Sequence, residues 1–115
     1  FTRCINLSSI YIPNSVTYIG DNAFARCSKL TSINLPNDIT SIQYRMFEDC
    51  SNLTSIIIPN SITSIKKYAF LNCNKLKNIT FKGTINQWCR ISKDLAWNES
   101  TGYYTIHCTD GDIAK

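Results

Sequence analysis

Phe47-Glu48-Asp49-Cys50-Ser51-Asn52-Leu53-Thr54-Ser55-Ile56-Ile57-Ile58-Pro59-Asn60-Ser61-Ile62-Thr63-Ser64-Ile65 is the stretch that decides how this chain folds, because its landmarks recur at one constant interval on both sides. Cys4, Cys27, Cys50 and Cys73 are evenly spaced and define that interval as a 23-residue period. Three residues before them stand Phe1, Phe24, Phe47 and Phe70, and three after them Leu7, Leu30, Leu53 and Leu76. Ile10-Tyr11-Ile12-Pro13-Asn14 and Ile33-Asn34-Leu35-Pro36-Asn37 match Ile56-Ile57-Ile58-Pro59-Asn60. Val16-Thr17-Tyr18-Ile19 and Ile39-Thr40-Ser41-Ile42 match Ile62-Thr63-Ser64-Ile65. Self-similarity at a period of this length marks an array of stacked units.

The residue types give the shape of one unit. Ser-Ile-x-[Ile/Leu] alternates polar and β-branched apolar residues, which predicts a short strand with one buried face. Proline ends that strand because it has no N–H for the ladder, and the asparagine after it suits a turn. The [Val/Ile]-Thr-x-Ile piece is a second extended segment or a turn. The Phe-x-x-Cys piece is expected to pack its ring and thiol inward from a turn, a 3-10 stretch or a short helix. Each unit offers roughly six large apolar side chains. At about 1.5–3 kcal/mol each, these cannot offset the ordering of a whole unit, so units must stack to share a core. Successive strands then form a parallel sheet. By parity its outward residues are Ser9 and Tyr11, Ser32 and Asn34, Ser55 and Ile57, and Asn78 and Thr80, the candidate contact surface.

Composition narrows the function classes. At 115 residues the chain fits one domain, and no apolar run approaches the ~20 residues that a membrane-spanning helix needs. No basic segment followed by an apolar one opens the sequence, so an export signal is expected outside these residues. The net charge is +4, and Lys66, Lys67, Lys75, Lys77, Lys82, Arg90 and Lys93 fall in a stretch without acidic residues. They occupy different positions of the repeat and should point in several directions, which argues for a solvated surface and against a nucleic-acid groove.

The pattern Leu-Thr-Ser-Ile-x-[Ile/Leu]-Pro-Asn-x-Ile-Thr-x-Ile followed by Phe-x-x-Cys resembles the BspA-like leucine-rich repeats of surface and secreted proteins. It covers residues 1–80, the first unit being truncated. Residues 81–115, with Gln87-Trp88, Trp97 and Ile106-His107-Cys108-Thr109-Asp110-Gly111-Asp112-Ile113, resemble the last partial repeat and C-terminal cap of such arrays. The resemblance implies an α/β fold: a right-handed leucine-rich-repeat solenoid with its strands on the concave side, exposed at a cell surface or secreted and often adhesive. It brings no catalytic residue and no cofactor. Continuing the period places Ile85 after Ile62, Trp88 after Ile65 and Lys93 at the phenylalanine position. Trp88, Trp97, Tyr103 and Tyr104 are expected to cover the last rung. At the front, Phe1-Thr2-Arg3-Cys4 ends a repeat. Upstream residues are expected to precede it, and the uncapped end is expected to fray over residues 1–6 or to self-associate.

Candidate chemistry is sparse. Stacked cysteines lie about one rung (~4.8 Å) apart, wider than the ~3.8 Å between Cβ atoms of a disulfide, so Cys4, Cys27, Cys50 and Cys73 read as buried thiols. Cys89 and Cys108 lie outside the period, and spacing leaves open whether they pair. His107 and Cys108 are adjacent, so in a strand they face opposite sides and do not share a metal. Asp110-Gly111-Asp112 lacks the later ligands of a calcium loop and reads as a turn. The cap aromatics suit packing better than sugar stacking. A non-catalytic binding or adhesion module is therefore expected, with a protein ligand favoured over a glycan. The alternative is a spacer or targeting array attached to an enzyme elsewhere in a longer chain.

Overall fold

A computed structural model describes residues 7–115. The register of Phe1 and Cys4 and the fraying expected over residues 1–6 lie outside the described residues. In chain order the elements are β1 (Ser32–Asn34), β2 (Ser41–Ile42), β3 (Ser55–Ile58), β4 (Ser64–Ile65), β5 (Asn78–Phe81), the helix α1 (Ile85–Arg90), β6 (Ser92–Lys93), β7 (Thr105–Cys108) and β8 (Gly111–Ala114). They form a parallel-strand solenoid in which hydrogen bonds between successive coils join residues 23 apart, as from Thr54 to Thr31 and from Thr63 to Thr40.

The Ser-Ile-x-[Ile/Leu] segments make one sheet in the order β1-β3-β5-β7-β8, with Ile33, Ile56, Ile79 and Ile106 in register. β3 stops before Pro59, where the ladder loses its donor. The Ile-Thr-Ser-Ile segments make a second parallel sheet, β2-β4-β6. Its isoleucines point inward while Ser64 Oγ donates to Ser41 Oγ at 2.9 Å on the outer side.

The third side of the coil resolves to turns. Asn22, Arg45 and Tyr68 hold positive φ, and so do Arg26, Asp49 and Asn72, all between 57 and 63°. Both series keep the period. The left-handed residues turn alternate N–H groups outward along the solenoid axis. Cys50 N–H stays within its own turn, donating to Phe47 O at 3.2 Å, whereas Phe47 and Asp49 N–H donate to Ala69 O and Leu71 O of the next coil, both at 2.8 Å. A helix would keep these donors to itself; the turn gives coil-to-coil bonding on the third side as well.

Inside, equivalent residues stack. Phe24 and Phe47 lie 5.5 Å apart at 14°, and Phe47 and Phe70 lie 5.2 Å apart at 8°. Cys27, Cys50, Cys73, Leu30, Leu53 and Leu76 fill the rungs beside them, and every residue of the described core is hydrophobic. Cys50 and Cys73 thiols donate to Phe24 O and Phe47 O at 3.1 and 3.0 Å. The periodic cysteine thus serves as an apolar filler that also satisfies a carbonyl of the coil before it. The neighbouring Cys50 thiol, followed by burial, holds the Cys73 thiol far above the ordinary thiol range.

The last coil departs from the period. Ile42 is opposite Ile65 at the regular interval, but the residue opposite Ile65 in the following coil is Lys93, which a five-residue insertion has carried past the regular place. The expectation that set Trp88 after Ile65 and Lys93 at the phenylalanine position is therefore corrected: α1 takes up the extra residues, and Lys93 occupies the isoleucine position. The positive-φ pair of Tyr68 and Asn72 reappears at Ala96 and Ser100, displaced by the same insertion. β8 then turns back antiparallel to β7. At the other end, no strand forms at Ser9 to Tyr11. Among the described residues this segment has a neighbouring coil on one side alone. It is tied there by Thr31, whose N–H and hydroxyl both donate to Ser8 O at 3.1 and 3.3 Å.

Candidate functional site

The outward face of the larger sheet carries two rows at rung spacing. One runs Ser32, Ser55, Asn78, Thr105, and the other Asn34, Ile57, Thr80, His107. Ser32, Asn34, Asn78 and Thr80 are exposed, and Ser55 and Ile57 are half-buried. Six of the eight residues expected on this face are therefore brought together. Ser9 and Tyr11 are exposed but lie on the non-strand segment beside it, with Tyr11 86% exposed.

Thr105, His107 and Asp112 extend the face and escape a reading of the period, because β7 is offset from β5 by more than one regular interval. His107 Nε2 lies 2.9 Å from Asn78 Oδ1, and Nδ1 lies 3.1 Å from Asp112 Oδ1. An imidazolium donates to both oxygens. A neutral ring donates to Asp112 and accepts at Nε2 from Asn78 once that amide is turned about. Cys108 faces the other side, as the adjacency argument requires. Asp110 lies in the hairpin turn, and its Oδ1 accepts the Ile85 N–H at 2.9 Å.

Away from this face, the Arg45 guanidinium lies over both the Tyr44 and Tyr68 rings, 5.0 and 4.9 Å from their centres, which are 6.3 Å apart, and pairs with Glu48 at 2.7 Å. The Glu48 hydrogen bond, then that to Tyr44, raises its pKa, so Arg45 stays charged. The lysines make contacts at separate stations. Lys67 lies over Tyr68 at 4.9 Å, Lys75 donates to Asn52 at 3.0 Å, and Lys93 turns to α1.

The C-terminal aromatics close the core. Trp97 meets Phe70 edge-on at 6.0 Å, Trp88 meets Phe81 at 5.3 Å, and Trp97 packs against both Trp88 and Tyr104 at 6.2 Å. Trp88 and Tyr104 are buried, but Tyr103 is 89% exposed. The expectation that Tyr103 helps cover the last rung is corrected: Tyr104 enters the core and its chain neighbour points the other way.

This geometry of repeated coils with stacked phenylalanine and cysteine positions is that of the BspA type leucine rich repeat region, a family described by a six-copy repeat pattern that matches residues 1–95 here. The chain belongs to the BspA-type leucine-rich-repeat family. The leucine-rich-repeat solenoid is also similar to the crystal structure of a leucine rich cell surface protein from Faecalibacterium prausnitzii, at 25% identity with a TM-score of 0.54. That similarity covers 76% of this chain and 35% of the other. No curated protein matches the sequence. Among the described residues no helix of this leucine-rich-repeat chain is long and apolar enough to cross a membrane.

Proposed function

We propose that this leucine-rich-repeat chain is a non-catalytic binding or adhesion module, displayed on a cell surface or secreted. Its contact surface is the outward strand face, with Ser32, Asn34, Ser55, Ile57, Asn78 and Thr80 at the centre and Ser9 and Tyr11 at the margin. The observation that carries this reading is the pair of in-register rows of small, uncharged side chains on a sheet braced by an apolar core. Hydrogen-bonding groups repeated at every rung from Ser32 to Thr80, with no charged side chain among these rungs, suit a protein segment better than a glycan. Membership of the family and similarity to a cell surface protein support the location. In this reading residues 1–80 are the repeats and 81–115 the last coil with its cap.

A spacer or targeting array within a longer protein is the second reading, drawn from the 35% coverage of the similar structure. Surface plasmon resonance against panels of extracellular-matrix proteins and of glycans separates the two. A binding module is expected to hold a protein ligand, and Asn34→Arg or Thr80→Arg should weaken it at least tenfold without changing the melting temperature. Lys75→Glu, off this face, should have little effect. Binding indifferent to both face substitutions would sink the strand-face reading, and a protein that binds nothing on either panel supports the spacer.

A further inference from the structure

Cys89 and Cys108 stand outside the period of the other cysteines, and the tertiary structure brings the elements that carry them together. α1 is fastened to the β7–β8 hairpin at its first turn. Ile85 N–H donates to Asp110 Oδ1, and Thr109 N–H donates to Gly83 O, both at 2.9 Å. A Cβ on Gly111 would lie 3.1 Å from Ile85 Cδ1, so that face of the hairpin looks at the helix. Cys108 is the register partner of Gly111, and directly opposed residues project to the same face of a sheet. Cys108 therefore faces α1, on the side of the buried Ile106. Cys89 lies one helical turn beyond Ile85, on the same helix face and about 5–6 Å further along. The electrostatics agree: burial raises the Cys108 thiol above its ordinary value, and Asp110, Cys89 and Asp112 add to the rise.

We propose that Cys89 and Cys108 are a disulfide-forming pair that locks α1 to the C-terminal hairpin when the protein meets a low-molecular-weight disulfide such as glutathione disulfide. Both thiols are free in this structure, Cys89 exposed and Cys108 half-buried, whereas Cys27, Cys50 and Cys73 are fully buried. Accessibility sets the order of events. The Cys89 thiolate attacks one sulfur of glutathione disulfide, forming a mixed disulfide and releasing one glutathione thiolate. Cys108 then gives its proton to solvent and attacks the Cys89 sulfur, releasing the second glutathione. Two protein thiols become one disulfide, and one glutathione disulfide becomes two thiols.

The test equilibrates the protein with glutathione buffers of increasing oxidised fraction, quenches with acid, alkylates and digests with trypsin without reduction. Peptide 83–90 should appear joined to peptide 94–115, with two of the six thiols lost. The oxidised form should melt roughly 10 °C higher, as expected for a closed loop of about 20 residues. Cys108→Ser should leave glutathione attached to Cys89. Six alkylated thiols at every ratio, a stable glutathione adduct on Cys89 of the unsubstituted protein, or a bond from either residue to a periodic cysteine would each overturn the proposal.

Discussion

Phe47 is fully buried between two stacked rings, so its contribution is shared with Phe24 and Phe70. Phe47→Ala is expected to cost ~3–5 kcal/mol through the cavity it leaves. A urea midpoint that barely moves would contradict the stacked core. Lys93 presents a different balance of contacts. It stands where other coils have isoleucine, and its ammonium donates to Trp88 O at 2.8 Å and Ile91 O at 3.2 Å while lying 4.8 Å from the Trp88 ring. Lys93→Met keeps the aliphatic stem but strips those carbonyls of a charged donor, so a loss of about 1 kcal/mol is expected. Burial lowers the Lys93 pKa, against a smaller opposing effect of Cys89. The unfolded chain therefore holds that proton more tightly than the folded one. Folding stability should rise as pH climbs from the depressed value toward 10.5, relative to Lys93→Met, and be flat in that difference below it. A stabilised Lys93→Met protein would show that the apolar position outweighs the carbonyl contacts.

Among the elements, α1 shows how a coil absorbs an insertion without breaking the ladders on either side. Thr84 and Gln87 form a capping box, with Gln87 N–H donating to Thr84 Oγ1 at 3.1 Å and Thr84 N–H to Gln87 Oε1 at 2.9 Å. The chain reaches this cap through Gly83, which replaces the asparagine of the Pro-Asn pair. A Cβ there would lie 2.5 Å from Gln87 Oε1 and 2.6 Å from the Phe81 ring. Gly83→Ala must displace a ring already packed on Trp88 or open the capping box, at a cost of about 1–3 kcal/mol. The expected signature is a lower melting temperature with a shifted near-ultraviolet tryptophan signal. An unchanged melt would mean that the loop yields without disturbing Phe81. The turns on the third side are the other element that matters. Their left-handed positions accept Arg45 and Tyr68 as well as asparagine, because the coil-to-coil hydrogen bonds offset the local strain.

Across the described residues as a whole, two classes of cysteine differ by environment. Cys27, Cys50 and Cys73 are sealed in the shared core, while Cys89 is on the surface. A thiol reagent applied to the reduced native protein should modify Cys89 early and Cys108 more slowly. The three core thiols should react only as the solenoid opens, all with a common rate. Core thiols that react at separate rates under native conditions would show that coils open one at a time, an outcome open to repeat arrays whose interfaces are unequal.

Repetition in the chain was enough to define the unit, its length and its inward residues, because a rung repeated at fixed spacing leaves one way to align Phe24, Phe47 and Phe70 or Ile33, Ile56 and Ile79. It was also enough to place Ser32, Asn34, Ser55, Ile57, Asn78 and Thr80 outward, since strand parity follows from alternation alone. What lies beyond Phe81 was settled in three dimensions. There the register is set by which side chains fill the end of the core, so Tyr104 and not Tyr103 joins the expected Trp88 and Trp97, Lys93 takes an isoleucine's place, and His107 joins the outer face beside Thr80 despite the irregular interval between them. The same holds for Ser9 and Tyr11, whose segment is tied to the next coil at Ser8 O yet does not extend the ladder, a difference that the period does not show. Period and parity are local properties of a chain, whereas an insertion's register and an end's pairing depend on contacts between coils.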